Sequence, residues 1–495
     1  MDVFEALASA LSWSTVGWVC LGTLYGLIFG IIPGLTAMLA VIILIPVTYS
    51  MAPVTGISML VGVYIGSISG GLVAAILLGM PGTPSSITTA LDGFALTRQG
   101  QAGRALGIGI TSNLVGCLIG WFFLVLGAPL IANFAVNFGP VEYVSVVIFG
   151  LTVVISLSGD SLPKGALMAA FGLMLSTIGI DPINGMARNT LGLSFLEGGI
   201  SFVPALIGLF VVAQVFNELK NMNAAHIIPQ TSVSRVVMTW REMRESAGNF
   251  LRSALIGVFI GILPGVGASL STFVSYDQAK KASKNPETFG KGNIQGIVAS
   301  ETTNNAGIGG ALIPLLSLGI PGDAITAALL GGLQIHGIEP GPLLASEHPE
   351  LISGVFIYFL IATVCMYLTM ILIGARVFPI VLRVRKSFLM PLVLVFSLIG
   401  CYNISYSITD VWVSFLFGIM GFFLSRHGYP LVPLVITIVL GSMFEKQLRT
   451  ALLLTKGSLL PFVTTPVSML FLILSAFSVY YALRQRSGQR GVHTP

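Results

Sequence analysis

Apolar runs of about 18 residues or more recur along the chain from Trp18 to Tyr481, separated by polar breaks too short to hold a soluble domain. Each run is long enough to cross a bilayer as a helix, so the pattern predicts one polytopic all-α unit. Some runs are interrupted from within. Residues 22–44, GTLYGLIFGIIPGLTAMLAVIIL, carry Pro33-Gly34 in their middle. Proline removes a backbone donor and clashes with the preceding turn, and glycine permits positive φ, so the pair ends one helix and lets another begin. The same dipeptide breaks apolar sequence at Pro81-Gly82, Pro264-Gly265 and Pro321-Gly322.

The four breaks fall into a duplication. GLIFGIIPGLTA (residues 26–37) matches GVFIGILPGVGA (257–268), and GGLVAAILLGMPGTPSSITTAL (70–91) resembles GALIPLLSLGIPGDAITAALL (310–330). Two motifs in one order at nearly one separation mark an internal repeat. A third, weaker echo pairs Phe171-Gly172 and Asp181-Pro182 with Phe417-Gly418 and Tyr429-Pro430. Small residues step every fourth position into the first break of each half (Gly22, Gly26, Gly30, Gly34; Ser253, Gly257, Gly261, Gly265), a spacing that allows close helix packing.

Charge on equivalent loops sets the relation between the halves, because Lys and Arg collect on the cytoplasmic side. The loop after the second break is basic in the first half (Arg98, Arg104) and acidic in the second (Glu339, Glu347, Glu350). After the first break the bias reverses: TYSMAP is uncharged, while residues 277–293 carry Lys280, Lys281, Lys284 and Lys291. A later loop, residues 128–140, lacks basic residues where its counterpart has Arg376, Arg383, Arg385 and Lys386. Inverted-topology repeats follow, residues 1–217 and 253–483. A linker (218–252, with Lys220, Arg235, Arg241 and Arg244) and a tail (484–495, with Arg484, Arg486 and Arg490) lie in the cytoplasm, and the N-terminus lies outside. The start, Met1 to Glu5, has no basic residue, unlike a cleaved signal peptide.

Composition agrees. Of 495 residues 55% are hydrophobic and 9% charged, where a soluble domain carries about 25% charged residues; the mean hydropathy is +0.93. A net charge of +5 is spread over loops, with no patch suited to nucleic acid. Cys20, Cys117, Cys365 and Cys401 stand singly, as packing residues rather than a metal or redox site. His336 and His348 form no ligand cluster, and Asp181, Asn184, Arg188 and Glu197 are assigned no role.

Broken backbone in hydrocarbon frees N–H and C=O groups that cost several kcal/mol each, so it persists only against protein or a watery cavity. In transporters built from inverted repeats such breaks hold the substrate near the midplane. Here they are followed by Thr36, by Thr83, Ser85 and Ser86, by Ser269, and by Asp323. Half-helix N-termini carry about +0.5 charge and favour anions, so Pro33, Gly34, Thr36, Pro81, Gly82, Thr83, Ser85, Ser86, Pro264, Gly265, Ser269, Pro321 and Gly322 are the candidate substrate residues. No Lys or Arg lies in the segments that hold the breaks; backbone donors, hydroxyls and a cotransported cation would neutralise an anion there.

One helix is unusually polar: IVASETTNNAGIGG, residues 297–310. An acid within a span marks an ion or proton pathway by default. Glu301 is the candidate, with Thr302, Thr303, Asn304 and Asn305 as neutral oxygens for Na⁺; Glu301 equally suits a proton, or a plain ion pair with Lys291. Asp323 reads as a helix N-cap or a coupling site, and Asp92 as a structural cap beside Arg98 ahead of a cation ligand. The equivalent first-half stretch, residues 61–71, offers Tyr64, Ser67 and Ser69 and no acid.

At these residues the sequence resembles the large membrane subunit of the tripartite tricarboxylate transporters, the TctA family. The resemblance spans nearly the whole chain and rests on GIIPGLTA, MPGTPSSITTALDG, GQAGRALGIGI, ETTNNAGIGGALIPLLSLGIPGDA, HGIEPGPLL and GSMFEKQLRTALLLTKGS. It implies uptake of di- or tricarboxylates, or related organic acids, across the bacterial inner membrane by Na⁺ or H⁺ symport. It also implies a small TctB-like membrane subunit, a periplasmic TctC-like solute-binding protein, and the hairpins with residues 301–305 as the substrate and ion region. An elevator-like motion is expected by analogy of architecture. The rival readings are the permease of an ATP-driven importer, although the chain has no GxxxxGK[ST] loop, and an anion channel. No Ser/His or HExxH arrangement supports an enzyme.

Overall fold

The computed structural model describes residues 11–157, 161–220, 236–265, 267–382, 384 and 386–490. Met1 to Glu5, Arg235, Arg383 and Arg385, on which part of the expected orientation rests, lie outside them. The described chain is almost entirely helical. Its helices are α1 (Trp13–Ile31), α2 (Ala37–Thr48), α3 (Pro53–Leu78), α4 (Ile87–Arg98), α5 (Ala102–Ala135), α6 (Pro140–Leu157), α7 (Leu162–Ser176), α8 (Phe202–Leu206), α9 (Ala213–Lys220), α10 (Trp240–Glu245) and α11 (Ala247–Ile262). They continue as α12 (Gly267–Lys281), α13 (Ile294–Leu318), α14 (Ala324–Ile335), α15 (Leu344–Glu347), α16 (Pro349–Leu372), α17 (Gly374–Val381), α18 (Lys386–Ser405), α19 (Ile408–Arg426), α20 (Leu431–Leu454), α21 (Leu460–Thr464) and α22 (Pro466–Arg490). A π-helical stretch, Ile207–Val212, joins α8 to α9. A two-stranded antiparallel ribbon, β1 (Gly179–Ile180) with β2 (Ala187–Arg188), follows α7. Eight described helices are long and apolar enough to cross a membrane, and the protein is a multi-pass membrane protein. Helix α22 runs to Arg490, past the expected start of a tail at 484.

All four Pro-Gly pairs separate helices. Gly34 and Gly265 adopt left-handed φ of 90° and 77°. Ahead of Pro81-Gly82 and Pro321-Gly322, helices α3 and α13 each end on a left-handed glycine, Gly79 and Gly319. The helix after each break is short: α2, α4 and α14 have 12 residues and α12 has 15. At 1.5 Å per residue these reach about 18–22 Å, less than the roughly 30 Å hydrocarbon core. Helix α3, with 26 residues, and α13, with 25, are long enough to cross.

The chain groups into two units, and neither follows the sequence repeats. The first comprises Met1–Ala132, Asn217–Ile262 and Gly267–Gly400. In it α1 runs parallel to α3, with Gly22, Gly26 and Gly30 against the backbone of Met59, Val63 and Ser67. The second half repeats the arrangement, α11 lying on α13 with Gly257 against Thr303 and Gly261 against Gly307. A Cβ on any of these glycines would strike a backbone carbonyl, so the fourfold spacing is a requirement of main chain meeting main chain. At one end of the unit Gly56, in the first turn of α3, lies against both Thr48, which ends α2, and His336, which caps α14. At the other end Thr97 of α4 donates to the carbonyl of Ile76 near the end of α3, and Gln99 donates to the carbonyl of Lys291 just before α13. Helix α3 therefore runs towards the start of α13, and the two are antiparallel. The short helices exchange partners between halves: α2 packs on α14, and α12 packs on the Pro84–Ser86 turn and α4.

The second unit comprises Asn133–Phe216, the Leu263–Val266 connection and Cys401–Pro495. Here the third echo in the sequence becomes a packing rule. Gly172 of α7 sits against Leu434 and Thr437 of α20, and Gly418 of α19 against Gly208 and Val212 of the π-helical stretch. The ribbon is tied down by charge. Arg188 forms two bonds of 2.5 Å to Glu445, and Arg449 donates to Asp181 at 2.6 Å and to Glu445 at 3.2 Å. The hydrogen bond from Arg449 and those from the N–H groups of Ile183 and Asn184 hold the Asp181 carboxyl at about 2, below the usual carboxylate range.

Candidate functional site

The polar helix α13 is the core of the first unit, buried from Gly296 to Ser317. Glycines let its neighbours reach it: Gly116 and Gly120 of α5 lie against the backbone of Thr302 and Ala306, and Gly257 of α11 against Thr303. Its polar side chains therefore meet groups from both halves of the chain.

Glu301 is fully buried. Its Oε1 accepts from the hydroxyl of Thr89, on α4. Asn113 of α5 stands at its other oxygen, and with the amide nitrogen turned inward donates to Oε2 at 2.7 Å. Lys291 uses its carbonyl, not its ammonium, to tie this region to Gln99, so the carboxylate sits among neutral donors. Asn305 reaches the first half as well, accepting from Ser69 of α3 at 2.7 Å. Asp323 caps α14: its Oδ1 accepts from the N–H groups of Ile325 and Thr326, and its Oδ2 from the Tyr64 hydroxyl at 2.5 Å. The N-cap role expected of it is real, and a tyrosine from the other half completes it.

The breaks themselves are built alike. Thr83 and Ser86 form a capping box after Pro81-Gly82, and Asp323 and Thr326 form one after Pro321-Gly322. Gly82 is wedged against Gly30 and Gly71, and Gly322 against Gly261 and Ala311, positions equivalent in the two halves. A Cβ at Gly322 would lie 2.7 Å from the Gly261 carbonyl oxygen and 2.8 Å from the Ala311 Cα. The second break of each half is thus pinned to the helix that leads into the first. Thr36 caps α2, accepting from the Leu39 N–H at 3.2 Å; Ser85 shares a hydrogen bond with Thr83 at 3.1 Å. Ser269 lies in the first turn of α12, its carbonyl accepting from Thr272. Pro264 and Gly265 fall in the connection grouped with the second unit, where Gly265 touches Val154. Of the expected substrate residues, those of three breaks and Ser269 belong to the first unit.

Polar atoms without partners concentrate on α13. Among the described residues Ser300 Oγ, Thr302 Oγ1 and both amide atoms of Asn304 are buried with no hydrogen bond. Each such group costs about 1–3 kcal/mol unless a ligand, ion or water satisfies it. A turn beyond Asn304 lies a cavity of about 10 Å³ lined by Gly261, Ala268, Ser271, Gly307, Ala311, Gly322 and Asp323. That is about the room one water needs.

Asp92 is also fully buried, and its partners are not the expected ones. Its Oδ1 accepts from the N–H groups of Gly290, Gly292 and Asn293, and its Oδ2 from the Tyr276 hydroxyl. It is structural, as expected, but it holds the lysine-bearing loop of the second half rather than capping beside Arg98. Thr89 and Asn113 carry no signal as single letters; TSN at 111–113, inside an otherwise apolar run, was the available clue to Asn113.

The family model described as "Tripartite tricarboxylate transporter TctA family" matches residues 16–436. The chain is 36% identical over 491 residues to an uncharacterized 52.8 kDa protein in the TAR-I ttuC' 3' region of Agrobacterium vitis, covering 98% of this chain and 97% of that one. It is 37% identical over 228 residues to an uncharacterized protein in the TAR-II ttuC' 3' region of the same organism, covering 46% of this chain and 93% of the relative. No solved structure matches it. The chain belongs to the tripartite tricarboxylate transporter TctA family.

Proposed function

We propose that the chain is the large permease subunit of a tripartite secondary transporter. It imports di- or tricarboxylates, or related organic acids, across the bacterial inner membrane with Na⁺ or H⁺. A small membrane subunit accompanies it, and a periplasmic binding protein delivers the substrate. The observation that carries this reading is the set of unpartnered buried polar atoms on α13 beside a buried acid and two capped helix breaks. A fully buried acid within a membrane span marks an ion or proton pathway by default, which suits an ion-coupled carrier. Substrate carboxylates meet the N-termini at the breaks, with Thr83, Ser85, Ser86, Asn304 and the first turn of α14 as donors. Glu301 takes up the coupling cation, with Thr302, Asn304, Asn305 and Asp323 nearby.

The two repeats are inverted in this reading, and the hairpin-bearing unit moves against the rest in an elevator-like step. Support comes from the antiparallel run of α3 and α13 and the exchange of short helices between halves. Loop charge adds to it. The Arg98 to Arg104 loop meets the lysine-bearing loop through Gln99, and Arg104 pairs with Glu242 of the linker at 2.7 Å. Three basic segments thus share one end of the first unit, which is cytoplasmic by the positive-inside rule. The N-terminus then faces the periplasm, and Arg484, Arg486 and Arg490 assign the C-terminus to the cytoplasm by the same rule.

Uptake of labelled citrate, succinate and tartrate into proteoliposomes that hold the chain, its small subunit and its binding protein tests the reading. An imposed Na⁺ or pH gradient, without ATP, should drive accumulation above equilibrium. Accumulation only with ATP, or equilibration that never exceeds the external concentration, would replace it with an importer or a channel.

A further inference from the structure

Along the outer face of α11 runs an open apolar groove of about 530 Å³, lined by Gly248, Arg252, Leu255, Phe259 and Ile260 of α11 and by Val274 of α12, with Arg252 one turn in from its Gly248 end. Phe259 is exposed. From Gly248 to Ile260 the helix rises about 18 Å, close to the roughly 15 Å of one leaflet of hydrocarbon. The groove is therefore one leaflet deep, and in a bilayer its apolar walls face acyl chains.

The Arg252 end is where positive charge gathers. Asn249, one turn before, bonds the backbone and side chain of Gln295, which places this end of α11 beside the start of α13 and the loop bearing Lys284 and Lys291. Lys280 and Lys281 end α12. Among the described residues Arg252 Nε has no partner, while its Nη2 donates to Asn249 at 2.7 Å. No acid pairs with this arginine among the described ion pairs. An apolar slot one leaflet long with an unneutralised guanidinium at its polar end has the chemistry of a phospholipid site. We propose that the groove holds one anionic phospholipid, its phosphate on Arg252 and one acyl chain along α11 to Ile260. The inference rests only on the chain's lying in a bilayer, so it stands or falls apart from the transport reading.

The full chain, purified in mild detergent, is equilibrated with equal amounts of dioleoylphosphatidylglycerol and dioleoylphosphatidylcholine, and the retained lipid is measured by mass spectrometry. The wild type should retain the anionic lipid about fivefold over the zwitterionic one, the worth of one arginine near a bilayer surface. Excess inorganic phosphate should not displace it. Arg252→Gln should bring the two lipids to parity, and Arg252→Lys should keep part of the preference. Leu255→Trp, which fills the slot and leaves Arg252 in place, should lower retention of both and guards against a folding defect in Arg252→Gln. Parity in the wild type, an unchanged preference in Arg252→Gln, or full retention in Leu255→Trp would overturn the proposal. So would efficient cross-linking of Leu255→Cys to a second copy or to the small subunit, since another protein would then cover the groove.

Discussion

Asp92 offers the sharpest test by a stability measurement. Its carboxylate is fully buried and accepts four hydrogen bonds, at 2.8, 2.9 and 2.7 Å from Gly290, Gly292 and Asn293 and at 2.7 Å from Tyr276. Asp92→Asn keeps the shape and exchanges charge-assisted bonds for neutral ones. The difference is about 1 kcal/mol per bond, partly offset by the cheaper burial of an amide, so about 2 kcal/mol is expected. Asp92→Ala strands all four donors. The loop N–H groups can recover water and Tyr276 less so, which gives about 4 kcal/mol. Denaturant titration in detergent, followed by labelling of the buried Cys117, measures both. Trypsin cleavage after Lys284 and Lys291 should accelerate in the same order. Arg98→Ala should leave both readouts unchanged, because no bond joins it to Asp92 in the described contacts. If Asp92→Ala costs nothing, or Arg98→Ala costs as much, the loop is held by something else.

Two further outcomes follow from packing and charge. Gly66→Val should prevent recovery of monodisperse protein, because a Cβ there meets the backbone of Thr23 and Leu27 and overpacking against main chain costs about 3 kcal/mol or more; Gly17→Ala, with open space around it, should be neutral, and equal yields would refute the backbone crossing. Asp181, held at about 2 by Arg449 and by the Ile183 and Asn184 N–H groups, stabilises the ribbon above its unfolded value of about 3.9 and loses that contribution as pH falls through about 2. Pepsin should therefore spare residues 177–201 near pH 4 and cut them near pH 2, and Arg449→Gln should move the onset upward; an onset unmoved by Arg449→Gln would dissociate the pair from the ribbon.

Much of the first unit was legible because each feature is local. A Pro-Gly pair ends a helix wherever it stands, a fourfold glycine ladder predicts close packing, and an acid in an apolar run stands out. Glu301 and the N-cap at Asp323 were found this way. Pairing across the two halves was hidden. Tyr64 completing Asp323, Thr89 reaching Glu301, and Asp92 gripping a loop near residue 290 depend on the exchange of short helices, which no single segment encodes. The cluster of Asp181, Arg188, Glu445 and Arg449 escaped for the same reason. Its members look like scattered loop and helix-end charges until α20 brings two of them to the ribbon.

In the proposed transport cycle the fully buried carboxylate on α13 links ion movement to substrate movement. Glu301→Gln, compared with wild type in the same proteoliposomes, tests it by two readouts: gradient-driven accumulation and exchange of labelled for unlabelled substrate at equal concentrations. Accumulation should be abolished while exchange persists; accumulation at the wild-type level would contradict the claim.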